Sequence, residues 1–249
     1  MVNAQEWLDK NYPKETREKV KMLDICKKNI GEKLEGKLKL KDFSNLKELK
    51  CEGNQITSLD VTNCSKLDKL NCEFNQLVDL RLSKNLKEVI CGGNRLTNLD
   101  LTNLLQLENL DCSNNLLTNL DFFSLESGKI TILDISDNNF VEQDLSFLSH
   151  LINLKELSIG NNYLEEKITE FTSKYGIDLV KSMLRESESR SDVNIKEIIS
   201  NQKVRIQQGI YNRFTGSLES LKNLNKLKKL HISNTDINSG FEKLSNNLK

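Results

Sequence analysis

Leu46-Lys47-Glu48-Leu49-Lys50-Cys51-Glu52-Gly53-Asn54-Gln55-Ile56 is followed by Leu67-Asp68-Lys69-Leu70-Asn71-Cys72-Glu73-Phe74-Asn75-Gln76-Leu77. Both stretches fit one frame, Leu-x-x-Leu-x-Cys-x-x-Asn-x-(Ile/Leu). The frame recurs at Leu86, Val89, Cys91, Asn94 and Leu96, and again at Leu107, Leu110, Cys112, Asn115 and Leu117. Two looser copies follow, Ile130, Leu133, Ile135, Asn138, Phe140 and Leu154, Leu157, Ile159, Asn162, Leu164. A leading copy reads Val20, Leu23, Ile25, Ile30 with Lys28 in the Asn slot. A trailing copy reads Leu227, Leu230, Ile232, Ile237 with Thr235 there. The six central copies start 21, 19, 21, 23 and 24 residues apart. This periodicity accounts for the 41 Leu and 30 Asn among 249 residues, and it means a stack of coils, each too small to bury its own apolar face.

Within a copy, Leu49 and Cys51 are two residues apart and share one side of a strand, leaving Glu48, Lys50 and Glu52 on the other. A second alternation follows the Asn: Leu59-Asp60-Val61, Leu80-Arg81-Leu82, Leu99-Asp100-Leu101 and Leu120-Asp121-Phe122. It predicts a second inward face. Copies this short leave no room for a helix on the outer side, so extended or 3₁₀ segments are expected there. Asp144–His150, in a longer copy, is the exception and predicts a short helix. The repeated Asn sits where the strand turns away, and its amide is suited to pair loop groups that cost about 1–3 kcal/mol each if left unpaired.

The pattern resembles the leucine-rich repeat family, over about residues 20–164 and 209–249. The resemblance implies an α/β solenoid, a curved horseshoe with a parallel β-sheet on the concave face and, here, a mostly non-helical convex side. It also implies a non-enzymatic protein–protein interaction scaffold. Four segments are expected. Residues 1–19 form a helical N-terminal cap, with Asn3-Ala4-Gln5-Glu6 as a capping box, Pro13 opening a second helix, and Trp7, Leu8, Tyr12 and Val20 over the first repeat. Residues 20–164 are repeats. Residues 165–208 form a helical and mobile insertion, and 209–249 carry further repeats ending without an apparent cap. Asn212-Arg213-Phe214-Thr215-Gly216-Ser217-Leu218 opens that last segment and resembles the plant-type repeat.

Lys plus Arg and Asp plus Glu both number 36, so the formal net charge is zero; this argues against nucleic acid or a membrane surface as the main partner. No apolar run is long enough to span a bilayer, and the polar start lacks a secretory core, so a cytoplasmic location is expected. Four of the six Cys occupy one repeat column, which predicts a reduced thiol ladder in the core and favours a reducing compartment. Cys64 falls in a turn, and Cys26, on the concave side, is the one thiol expected to react. His150 and His231 stand in no nucleophile motif, and there is no phosphate loop or zinc signature. No catalytic residue, no metal and no cofactor are expected.

The surface that remains is the outward side of the concave sheet. Glu48, Glu52, Glu73, Glu88, Asp111, Asp134, Asp137 and Glu156 oppose Lys50 and Lys69 there, eight acids against two lysines, for a net −6 on a neutral chain. Phe74, Ile90 and Ile132 lie near the middle, next to Gly92 and Gly93, and an apolar centre with a polar rim suits a protein interface. The candidate ligand-binding residues are therefore Glu48, Lys50, Glu73, Phe74, Glu88, Ile90, Asp111, Ile132, Asp134 and Asp137, facing a basic protein or peptide. Two other readings stand beside this one. The chain is the recognition region of a larger signalling chain (a kinase or ubiquitin-ligase receptor), or it is a secreted recognition or effector protein.

Overall fold

The computed structural model describes residues 2–102, 104–119, 129–161, 211–244 and 248, apart from the side chain of Lys28. Its strands, in chain order, are β1 (Val2–Asn3), β2 (Met22–Asp24), β3 (Leu34–Lys39), β4 (Glu48–Lys50), β5 (Gln55–Asp60), β6 (Lys69–Asn71) and β7 (Asp79–Arg81). They continue with β8 (Glu88–Ile90), β9 (Asn109–Asp111), β10 (Ile132–Asp134), β11 (Glu156–Ser158), β12 (Thr215–Ser217), β13 (Lys229–His231) and β14 (Asp236–Ser239).

Eight of these strands form one parallel sheet in the order β13-β11-β10-β9-β8-β6-β4-β2. Each has three residues, and every pairing is in register, so Leu49, Leu70, Val89, Leu110, Leu133 and Leu157 fall in one row. That row points inward and is buried, while the residues on either side of it face the concave surface. The next inward row is Ile25, Cys51, Cys72, Cys91, Cys112, Ile135 and Ile159, all 0% exposed. The four cysteines thus continue an aliphatic column, and all six thiols are free.

A second parallel sheet, β1-β3-β5-β7, lies across the first coils and buries Leu34, Leu38, Ile56 and Leu59 from the opposite side. In the next coil Leu99 and Leu101 are buried with no strand assigned, and residues 120–122 lie outside the described residues. Later coils use 3₁₀ turns, at Ser146–Leu148 and Leu218–Leu221, and a strand pair β12-β14. The helix expected over Asp144–His150 is one 3₁₀ turn, with the Asp144 carboxylate accepting from the Ser146 N–H at 2.9 Å.

The asparagine column works as a ladder. Asn75 accepts from the Ile56 N–H and donates to the carbonyls of Cys51 and Cys72. Asn94, Asn115 and Asn138 repeat the bonds one coil further on each time. Each of these amides pairs one loop N–H and three carbonyls, the third being that of the residue two before it, all buried and otherwise opposed to stacking through their desolvation.

Two slots differ from the sequence expectation. In the first coil α3 (Lys27–Ile30) ends at Gly31, with φ +73°, and it is Leu34, not Ile30, that donates to the ladder amide of Asn54. In the last full coil the slot assigned to Asn162 is held by Asn212. It accepts from Phe140 N–H at 3.3 Å and donates to Ile135 and Ile159 carbonyls at 2.9 and 3.1 Å. Asn161 accepts from the Asn212 N–H at 3.0 Å, so one coil runs from Ile159 through Asn161 to Asn212 and Phe214. Asn162 and the insertion predicted for 165–208 lie outside the described residues.

At the N-terminus the Asn3 side chain accepts from the N–H groups of Gln5 and Glu6 and opens α1 (Ala4–Asn11), whose Ala4 and Leu8 join the core. Pro13 precedes α2 (Lys14–Arg17). The buried Arg17 guanidinium lies 5.5 Å from the Phe43 ring centroid and bonds the Tyr12 carbonyl and the Asp9 carboxylate. Trp7, Tyr12 and Val20 pack against the first coil. Among the described residues no helix is long and apolar enough to cross a membrane.

Candidate functional site

Three-residue strands in strict register turn the concave face into two rows of side chains. The first is Met22, Glu48, Lys69, Glu88, Asn109, Ile132, Glu156 and Lys229. The second is Asp24, Lys50, Asn71, Ile90, Asp111, Asp134, Ser158 and His231. The structure therefore brings Glu48, Lys50, Glu88, Ile90, Asp111, Ile132 and Asp134 onto one half-exposed surface. It adds Asp24 and Lys229 from the first and last copies, and places His231, expected on this face, in the second row. With Asp24 and Lys229 included and the buried Glu73 left out, the face carries eight acids and three lysines, a net of −5.

Phe74 and Glu73 are not part of the open surface. Phe74 is 5% exposed, in the left-handed region at φ +52°, with its ring against the backbone of Gly93 in the next coil. Gly53, Gly93, Asn114 and Asp137 have the same backbone sign at the same step, just before the ladder Asn. The chain has to reverse there to start its outward loop, and this folds Phe74 down onto the glycine instead of leaving it upright. Glu73 is buried beside it, and Asp137 is half-buried. The apolar floor is thus Ile90 and Ile132. These stand on β8 and β10 with β9 between, roughly 10 Å apart across the sheet, and form two separate patches.

The acids of the second row have a local role. Asp111 accepts from the Ser113 N–H at 2.9 Å and Asp134 from the Ser136 N–H at 3.0 Å; Asn71 and Asp24 do the same for Glu73 and Cys26. A carboxylate or amide at this position closes the turn leaving the strand. Each acid thus keeps one oxygen on the backbone and presents its charge to the concave space. Burial raises the Asp24 pKa, but bonds from Cys26 and Asn29 outweigh it and hold the carboxyl below its usual range. Lys50, bonded to Glu48 at 3.0 Å, has its pKa raised by that bond and by the surrounding acids. Lys229 is paired with Glu156 at 2.8 Å.

Cys26, expected to be reactive, is buried, and its thiol pKa is pushed far up by burial and by the Glu52 and Asp24 carboxylates. This is the opposite of an activated thiolate. Cys64 is buried too, its pKa pushed up to about 12 by burial and the Asp60 charge. His231 is exposed on β13 and His150 beyond the 3₁₀ turn. Among the described residues no three His, Cys, Asp or Glu side chains are grouped to hold a metal ion.

Sequence inspection missed the edge on which the strands begin. Among the described residues the coils enter their strands through a two-residue turn, a buried or half-buried residue and one more residue, as in Ser65-Lys66-Leu67-Asp68. Lysine fills the last of these positions at Lys21, Lys47, Lys87, Lys155 and Lys228. The signal was in the sequence, in the column just before each strand, but only the stacked register shows that these lysines form one edge.

Residues 129–151 match the family model described as Leucine Rich Repeat. No curated protein matches the chain. Among solved structures it is similar to a TDR receptor, at 20% identity and TM-score 0.55, over 90% of this chain and 33% of that one. It is similar to internalin C2 from Listeria monocytogenes str. 4b F2365, at 17% identity and TM-score 0.55, over 94% of this chain and 81% of that one. A third is the plant peptide hormone receptor RGFR1 in complex with RGF2, at 17% identity and TM-score 0.54, over 90% of this chain and 34% of that one. The chain spans about a third of the length of the two receptors. With the asparagine ladder and the inward leucine rows, these likenesses define the leucine-rich repeat fold. Folds of this kind stack their repeats into an extended concave surface.

Proposed function

We propose that this chain is a non-enzymatic interaction scaffold whose concave face takes a basic protein or peptide. The observation that carries the reading is the −5 charge gathered on that face of a chain with zero net charge. An acidic wall raises the local concentration of cationic segments and orients them before contact. Ile90 and Ile132 offer two aliphatic contacts between the acids. RGFR1, a peptide hormone receptor, shares the fold, and an extended peptide across several coils would meet one row of side chains per coil. The six buried free thiols support a cytoplasmic, reducing location.

A fluorescent peptide of alternating Lys and Leu, titrated by anisotropy, tests the reading. Binding should weaken about tenfold for Glu88→Lys with Asp134→Lys, through the loss of charge complementarity, and weaken again for Ile90→Asp. Equal affinity for all three proteins removes the concave face from the reading.

A second reading is the recognition region of a longer signalling chain. The receptors that share the fold favour it, this chain matching about a third of their length. Sequencing the transcript on both sides of the region separates the two readings.

A further inference from the structure

Zero net charge conceals a segregation. At the strand-entry edge, the two turn residues and the residue before the strand, taken over all eight coils, include ten Lys and three acids, Glu18, Asp68 and Glu108. Their net is +7 among the described residues, against −5 on the adjoining concave face. All ten lysines are exposed. The edge is level because the strands pair without a register shift along the whole eight-stranded sheet. Seven intervals of about 4.8 Å spread this charge over roughly 34 Å.

Two further features say what kind of surface meets this edge. The outermost turn row carries Leu105, 58% exposed, and Ile152, 56% exposed, aliphatic side chains among the ammonium groups. Next to them Lys129, Lys155 and Lys226 surround a shallow pocket of about 260 Å³ with Glu108, Thr131 and Asn153. Lys226 reaches back to the Asn153 side chain in the preceding coil at 2.6 Å, and Lys129 likewise bonds Gln106. Among the described residues these rows hold no Arg and no aromatic side chain, the groups that fork onto phosphates or stack on bases. A level row of point charges with projecting aliphatic side chains matches a flat, diffuse anionic surface with an apolar layer beneath.

We propose that the strand-entry edge docks on an anionic lipid membrane, with the solenoid standing on that edge. The strand-exit acids face away from the lipid. At physiological ionic strength charge acts over about 8 Å, and within that reach the first concave row sets Glu48, Glu88 and Glu156 against Lys69 and Lys229, which leaves the edge at +6. The pocket between Lys129, Lys155 and Lys226 receives one headgroup phosphate or carboxylate. The concave face stays open to its partner, and the two surfaces work independently.

Co-sedimentation of the full chain with phosphatidylcholine vesicles, with and without phosphatidylserine, tests this. Pelleting should require phosphatidylserine and be lost near 0.5 M salt, where the Debye length falls to about 4 Å. Lys129→Glu, Lys155→Glu and Lys226→Glu together should lower partitioning at least about tenfold, as expected for lysines that contribute near an anionic surface. The matching Lys→Arg triple should keep it. Leu105→Ser with Ile152→Ser should lower it without changing its salt dependence. Thermal melts verify that each variant folds. Pelleting with phosphatidylcholine alone, unchanged partitioning in the reversed triple, or capture of polyglutamate or single-stranded RNA with no vesicle binding overturns the proposal. Asp134→Lys, which weakens peptide capture in the concave reading, should not reduce vesicle binding, so the two readings fail separately.

Discussion

The Phe74 ring fills the space a side chain on Gly93 would need: a Cβ built on Gly93 would lie 2.5 Å from Phe74 Cδ1. Both residues are in the left-handed region, Phe74 at φ +52° and Gly93 at φ +66°, at the same step of successive coils. Gly93→Ala should therefore destabilise the protein by about 2 kcal/mol, combining the left-handed penalty of a Cβ with the clash. Adding Phe74→Asn, which tolerates that backbone and removes the ring, should recover about 1 kcal/mol of the clash. Urea unfolding of the two single variants and the double gives the coupling; a coupling of zero would mean the two residues do not touch.

Asn212 takes the ladder slot of its coil from across a long stretch of sequence. Asn212→Ala leaves the Phe140 N–H and the Ile159 carbonyl unpaired and takes one of two amide donors from the Ile135 carbonyl, which keeps its bond from Asn138; it should cost about 3 kcal/mol, and Asn138→Ala a similar amount. Asn212→Asp keeps the acceptor but turns a carboxylate toward two carbonyls, and should be no better. The denaturation midpoints of the three variants decide whether Asn212 is a rung of the ladder.

The thiols should be silent in the folded protein. Cys51, Cys72, Cys91 and Cys112 are fully buried, with their pKa values pushed up first of all by burial, and Cys26 and Cys64 are shifted the same way. An aromatic disulfide reagent at pH 8 should titrate almost no thiol in the native protein and all six after unfolding. Rapid reaction of one equivalent in the native state would show Cys26 to be accessible.

Asp60 should set part of the acid limb of stability. Burial raises its pKa, but hydrogen bonds from Lys39 and Thr62 and the Lys39 charge outweigh this and leave it below 3.8. A group with a depressed folded pKa contributes stability that is complete above its unfolded value and is lost as pH falls through the folded one. Stability should thus decline below about pH 4. Asp60→Asn should flatten that decline and lower stability at pH 7. Chemical denaturation from pH 2 to 7 on both proteins measures it; parallel curves would assign the acid limb to other carboxylates.

Much of the molecule was legible in the sequence because its contacts are repeated locally. The inward Leu and Cys columns, the Asn ladder and the acidic outward rows all follow from a strand of period two inside a coil of about twenty residues, and the structure places them so. The alternation marks Asp111 and Asp134 only as outward acids of the candidate binding face. Their bonds to the N–H two residues on are local too, yet they emerge only once the strand is seen to end there. The sequence by itself determined which residues stack and on which side of the sheet they lie, since alternation and period need no distant partner. Only the tertiary structure decided that Phe74 lies down on Gly93, that Asn212 completes the coil begun at Ile159, and that lysines scattered from Lys19 to Lys228 share one level edge. These depend on which coil lies over which, and hydrogen bonding between neighbouring coils sets that rather than any local propensity.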